Sequence, residues 1–220
     1  MRYRLAIFDF DGTLADSFPW FLGAMNDCAD RFGFRRMEEH EIDTLRGYEA
    51  RRVIAHLGVP MWKVPLIARH MRARMTTEIG GITLFPGVDR LLRELAAHGV
   101  RVAIVTSNAA ENVRRVLGPA NAALVQHMEC GVSVLGKQPK LRKVLRASGI
   151  PAREAVSIGD EIRDLHASRA AGIAFAAVSW GSTTLEGLRA HAPDALFQTM
   201  DEMIDALTGP YRSTVPPGQH

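Results

Sequence analysis

Cysteine is scarce in this chain: Cys28 and Cys130 are the only two among 220 residues. They lie far apart and without metal-ligand spacing, so neither a disulfide framework nor a cysteine-based metal site is expected. That usage suits a reducing cytoplasm. Apolar runs of membrane length are missing, so no membrane span or membrane partner is expected. The apolar part of the N-terminus is short and broken by Asp9 and Asp11, unlike a secretory signal. Charge excess is small as well: 27 Lys and Arg against 24 Asp and Glu leave +3, and the basic residues are scattered. Such a balance suits an anionic small molecule and gives no ground for a nucleic-acid partner. There is no internal repeat. What remains is an ordinary globular composition, 47% hydrophobic and 23% charged. The length allows one good-sized core and a smaller accessory domain.

The chain is organised around Leu5-Ala6-Ile7-Phe8-Asp9-Phe10-Asp11-Gly12-Thr13-Leu14. Four apolar residues in a row predict a strand buried on both faces, as in a parallel sheet covered by helices. It ends on two carboxylates and a glycine turn. Two acids so close repel each other unless a cation or a shared proton relieves them. After Leu14 the spacing turns helical for some seventy residues. Trp20 to Phe32 predicts one helix ending at Gly33, with others near Glu38–Leu45, near Glu49–Leu57, and from Pro65 onward. Residues 16–82 are therefore expected to form a helical cap inserted after the first strand. Arg46-Gly47 lies between two of its helices, where the cap can reach over the sheet. Arg46 is thus a candidate substrate contact, with a solvated surface arginine as the plain alternative.

From Pro86 onward helices and strands alternate, which predicts a doubly wound parallel sheet in residues 1–15 and 83–208. Strands are expected at Val100–Val105, near Ala122–Gln126, and at Ala155–Ile158, Ile173–Val178 and Ala195–Phe197. Asn108 with Glu111 resembles a capping box for the helix that follows. Lys137 is placed in a loop before a helix carrying Leu141, Val144 and Leu145. A terminal helix is expected near Met200–Leu207, and residues 209–220, with three prolines and two glycines, as a disordered tail.

Asp9 and Asp11, Thr106 and Ser107, and Asp160 all fall at strand ends, and in an open parallel sheet those ends share one edge, where ligands bind. Each has a plain account as a turn or cap residue; as an ordered set they point to a site. The set resembles the haloacid dehalogenase superfamily, in particular its phosphatases of the phosphoglycolate phosphatase type. Asp9-Phe10-Asp11-Gly12-Thr13-Leu14 is similar to the family's first motif, Thr106 to its second and Lys137 to its third. Gly159-Asp160-Glu161-Ile162-Arg163-Asp164 is similar to the fourth. The third motif departs from the family pattern: Lys137-Gln138-Pro139-Lys140 stands where Lys-Pro-x-Pro is common. Either Lys137 or Lys140 can fill it, and Lys137 is favoured because Lys140 already lies at a helix start.

The resemblance implies a phosphatase for a small phosphorylated metabolite. Asp9 would be the nucleophile and Asp11 the general acid and base. Mg²⁺ would be ligated by Asp9, the Asp11 carbonyl and Asp160, with Asp164 behind them. Gly12, Thr106, Ser107 and Lys137 would bind the substrate phosphate. Charge counting also asks for a cation, because three carboxylates and a phosphate face one lysine. The protein is expected to act as a monomer or weak dimer. Asp11 argues against carbon–halogen cleavage, which needs only the first Asp; a phosphomutase would share the core residues and differ in the cap. Residues 131–137 match most of a nucleotide-binding P-loop, but Gln138 replaces the Ser or Thr that loop requires.

Overall fold

The computed structural model describes residues 3–131 and 136–209. The first strand, β1 (Leu5–Phe8), is fully buried. Its alternation shows why four apolar residues are needed. Ala6 and Phe8 enter the core on one face of the sheet, and Leu5 and Ile7 enter that on the other. Burying each large side chain contributes roughly 1.5–3 kcal/mol, and a polar residue at any of these positions would forfeit it.

Helices α1 (Phe18–Phe32), α2 (Ile42–Arg46), α3 (Ala50–His56) and α4 (Val64–Glu78) follow β1. α1 ends at Gly33 in the left-handed conformation, whose N–H closes on Ala29 O. These helices share a small core of Met37, Leu45 and Leu57, packed by Leu22, Met25 and Phe34. The chain leaves and re-enters the sheet through a narrow stem, where Ala15 bridges Leu84 and Asp16 N–H bonds to Thr83 O at 2.9 Å.

The rest of the chain alternates: α5 (Val88–Ala97), β2 (Arg101–Val105), α6 (Ala110–Ala122), β3 (His127–Glu129), α7 (Lys137–Ser148), β4 (Ala155–Gly159), α8 (Ile162–Ala171), β5 (Ala174–Val178), α9 (Leu185–Ala190), β6 (Ala195–Phe197) and α10 (Met200–Thr208). The six strands form one parallel sheet in the order β3-β2-β1-β4-β5-β6. Phe8 pairs with Ile104 of β2 on one side and with Ile158 of β4 on the other. Leu91, Leu92 and Leu95 of α5, Val113 of α6 and Met203 of α10 cover one face. Leu141 and Val144 of α7 pack on the other. The strand order reverses at β1, so the crevice beyond the ends of β1 and β4 is the place where such sheets bind ligands.

Four local expectations are corrected. The strand expected near Ala122–Gln126 lies at His127–Glu129, because α6 continues through a kink at Gly118-Pro119 as far as Ala122. Its residues are only half-buried, which is why no apolar signal marks them. The capping box does not form: the Asn108 side chain makes no cap, and Ala109 stands at the N-cap. Lys137 is the first residue of α7 and not a loop residue. Finally, α9 was not expected; the Thr184 hydroxyl caps it by accepting from the Gly187 N–H. The tail expected to be disordered lies, beyond Gly209, outside the described residues, as do 132–135 of the P-loop-like stretch.

Candidate functional site

The crevice at the sheet's switch point collects carboxylates. Asp9 follows β1, Asp160 follows β4, and Asp164 sits in the first turn of α8; all three are buried. Each offers an oxygen within 4.8 Å of the other two. Starting α7 at residue 137 carries the lysine ammonium into this cluster. Nζ of Lys137 lies 2.8 Å from Asp9 Oδ2 and 2.6 Å from Asp164 Oδ1. These are ion-pair distances without hydrogen-bond alignment, and both Asp164 oxygens are buried with no hydrogen-bond partner among the described residues. Lys140 turns away and pairs at 3.0 Å with Glu129, which Lys143 also meets at 2.7 Å. The two candidate lysines are thus separated by where their side chains go.

Asp160 is held from three directions. Thr13 Oγ1 donates to its Oδ1 at 2.8 Å, and the backbone N–H and hydroxyl of Ser182 donate to its Oδ2 at 2.8 and 2.7 Å. Two glycines make room for it. Gly12 turns at φ +75°, and a Cβ on either Gly12 or Gly181 would overlap the Asp160 side chain. Gly12 therefore serves the close approach of β1's turn to Asp160, beyond the phosphate contact expected of it. Thr13 and Ser182 were missed by sequence reasoning. Ser182 lies in the loop after β5, and only its position beyond the same sheet edge could have drawn attention to it.

Asp11 occupies the other side of the crevice. Burial, and then the charge of Asp9, pushes its carboxyl up to about 7, while hydrogen bonds from Asn108 and Ser17 work the other way. Asn108 Nδ2 lies 3.2 Å from both Asp11 oxygens. The same amide's oxygen accepts from Ala109 N–H at 2.8 Å and from Asn112 Nδ2 at 2.9 Å. Asn112 in turn lies 3.3 Å from Thr76 Oγ1 on α4. A chain of amides thus runs from the helical insert to Asp11, and it is the reason Asn108 does not cap α6. Thr106 Oγ1 stands 3.5 Å from Asp11 Oδ2 and accepts from the Asn108 N–H at 3.0 Å. Ser107 is half-buried at the same strand end.

Burial, with Asp9 and Asp164 nearby, raises the Asp160 carboxyl to about 6. Asp164 is also shifted upward, by burial first, with Lys137 pulling the other way. Burial opposes the Lys137 charge, but Asp164 and Asp9 outweigh it and hold the ammonium protonated. The carboxylates thus exceed the cations that face them, and their donors are all oxygen. That set fits a hard divalent cation, which would occupy the space between Asp9 and Asp160 and relieve their repulsion.

Arg46, at the end of α2, does reach across from the insert. Its guanidinium donates to Gly181 O at 2.9 Å and to Ser182 O at 3.1 Å, and it lies over the Phe18 ring at 5.1 Å. The loop that holds Asp160 is therefore the loop that Arg46 grips.

A family profile described as haloacid dehalogenase-like hydrolase matches residues 6–178. The phosphoglycolate phosphatase of Synechococcus elongatus is 30% identical over 203 residues, covering 92% of this chain and 96% of that protein. The N-acetylmuramic acid 6-phosphate phosphatase of Pseudomonas aeruginosa is 27% identical, covering 94% of this chain and 96% of that one. Among solved structures, a haloacid dehalogenase-like hydrolase of Streptococcus pneumoniae superposes with a TM-score of 0.77 at 20% identity. The match covers 92% of this chain and 97% of that one, and shows the same fold.

Proposed function

The chain belongs to the haloacid dehalogenase-like hydrolases, and from that premise we propose that it is a Mg²⁺-dependent phosphatase of the phosphoglycolate phosphatase type. Its substrate would be a small phosphorylated metabolite, phosphoglycolate-like or a sugar phosphate. The observation that carries the reading is the crevice itself: Asp9 and Asp160 across the β1–β4 switch point, with the Lys137 ammonium 2.8 Å from Asp9.

In this reading an Asp9 oxygen attacks phosphorus while the ester P–O bond breaks, leaving an aspartyl-phosphate. Asp11 gives its proton to the departing alkoxide; a carboxyl raised to about 7 holds that proton in about half of the molecules at neutral pH, where an ordinary aspartate holds almost none. Asp11 then takes a proton from the water that attacks the same phosphorus, releasing inorganic phosphate and restoring Asp9. Asn108 holds Asp11 in position for both transfers. Lys137, paired with Asp9, offsets the charge that builds on the transferring group. Asp164 anchors Lys137. Thr106 and the Ser107 N–H stand at a strand end where they can hold phosphate oxygens. The Asp9 and Asp160 carboxylates and the Asp11 carbonyl would hold Mg²⁺, which supplies charge neutralisation for the phosphoryl oxygens. Residues 16–82 act as a cap that closes over the crevice and excludes water. The site works in the cytoplasm, on a diffusing substrate.

The test of this reading is phosphate release over a panel of phosphorylated metabolites, with and without Mg²⁺. EDTA should abolish release and Mg²⁺ restore it, because the carboxylate cluster is otherwise under-neutralised. Full activity in metal-free buffer would overturn the site assignment. The cap contact is tested separately. Arg46→Ala should raise KM for the best substrate of the panel more than for p-nitrophenyl phosphate, which offers the cap little to hold. An equal change for both would leave Arg46 as a grip on the Gly181–Ser182 loop and nothing more.

A further inference from the structure

A second group of ligating side chains lies outside the crevice, on the seam between the helical insert and the sheet. Glu49 stands at the N-cap of α3 in the insert, His166 on α8, and His191 just after α9. One oxygen or ring nitrogen from each falls within 4.8 Å of the other two. The two rings meet edge to face at 6.0 Å. His191 is firmly set: its Nδ1 lies 2.9 Å from Gly187 O, and its own carbonyl accepts from Arg169 at 3.0 Å. A ring whose Nδ1 donates to a carbonyl keeps its Nε2 lone pair free, which is the way proteins orient metal-binding histidines. Glu49 makes no side-chain cap bond to α3.

We infer that Glu49, His166 and His191 form a binding site for a borderline transition-metal ion such as Zn²⁺, one that clamps the insert to the core. Two imidazoles and a carboxylate are a zinc ligand set, and imidazole nitrogen disfavours Mg²⁺. Metal–ligand lengths of about 2.0–2.2 Å would bring the donors roughly 3.3 Å apart. His166 and Glu49 are both exposed and free to close the present spacing by rotation. The position gives the ion leverage. Beside it, Thr184 N–H bonds to Arg46 O at 3.3 Å, and Arg46 grips the loop whose Ser182 holds Asp160. A bridging ion here resists opening of the insert and so slows any turnover that requires it.

The site is tested on the full chain by titrating Zn²⁺ calorimetrically in the presence of excess Mg²⁺. His166→Ala/His191→Ala should lose one equivalent of zinc relative to wild type, with unchanged binding at the carboxylate crevice. Glu49→Gln should weaken that equivalent by at least about tenfold, no less than the loss of an outer-shell partner costs. Glu49 and His166 are exposed while His191 is half-buried, and a melt in the absence of zinc verifies folding of each variant. Backbone hydrogen exchange then reads the clamp: zinc should slow exchange across residues 35–60 of the insert in wild type and leave it unchanged in the double histidine variant. Equal zinc isotherms for wild type and variant would overturn the site. Zinc binding through the histidines with no change in exchange of the insert would overturn the clamp. Neither readout depends on phosphatase activity.

Discussion

Asp9→Asn is expected to be inert toward every phosphate ester and to form no covalent intermediate, whereas Asp11→Ala is expected to fail selectively, according to the leaving group. Asparagine at position 9 has no carboxylate oxygen to attack phosphorus. Alanine at position 11 keeps the nucleophile and the backbone carbonyl offered to the cation. An alkyl phosphate still needs a proton on its departing oxygen, so the first step stalls. With p-nitrophenyl phosphate the leaving group departs unaided, and that step survives. Breakdown of the intermediate lacks its base in either case. A rapid quench should therefore show a burst of nitrophenol approaching one per site, phosphate bound to Asp9, and slow turnover after it. Asn108 and Thr106 would lose their acceptor at Asp11 but keep each other. Wild-type turnover of alkyl phosphates by Asp11→Ala would remove Asp11 from the acid–base role.

Lys137→Ala should lower kcat on the order of a hundredfold or more, and Lys140→Ala should change it little. The physical difference is in what each ammonium faces. Lys137 lies in the buried cluster, 10% exposed, against Asp9 and Asp164, which are 6% and 3% exposed. Taking away one member of such a group leaves uncompensated carboxylates and typically costs about 3–5 kcal/mol of stability, so the melting temperature should fall as well. Lys140 is 37% exposed and shares Glu129 with Lys143, which remains when Lys140 is cut back. Exposed pairs of this kind contribute about 0–1 kcal/mol. Kinetics are to be measured well below the melting point of the Lys137 variant, so that lost structure is not read as lost chemistry. The reverse ranking would move the third motif to Lys140.

The architecture was largely legible because its signals are local. An apolar run of strand length covered on both faces, helical spacing in the insert and glycines at helix ends are written in neighbouring residues, and β1, α1 and β4 lie where those signals place them. The edge strand β3 was displaced because a half-buried edge needs no apolar pattern, and α9 is too short to show a helical face. In the site, the candidates Asp9, Asp160, Asp164 and Lys137 do meet. Each stands at the end of a strand or the start of a helix, and a parallel sheet aligns those ends along one edge.

What the sequence determined by itself was the inventory: which carboxylates, hydroxyls and lysines the sheet edge would present, and that their charge calls for a cation. Tertiary structure alone decided which partner each group received. Lys137 and Lys140 differ by three residues on one helix, and only the direction of α7 sends the first to Asp9 and the second to Glu129. Asn108 carried a capping pattern, yet its amide bonds to Asp11, where a half-buried carboxyl offers a stronger acceptor than solvent would. Ser182 and Arg46, and Glu49 with His166 and His191, are brought together across 117 to 142 positions of chain. Such pairings depend on where the insert and the loops rest against the sheet, and no spacing in the sequence encodes a contact that only packing creates.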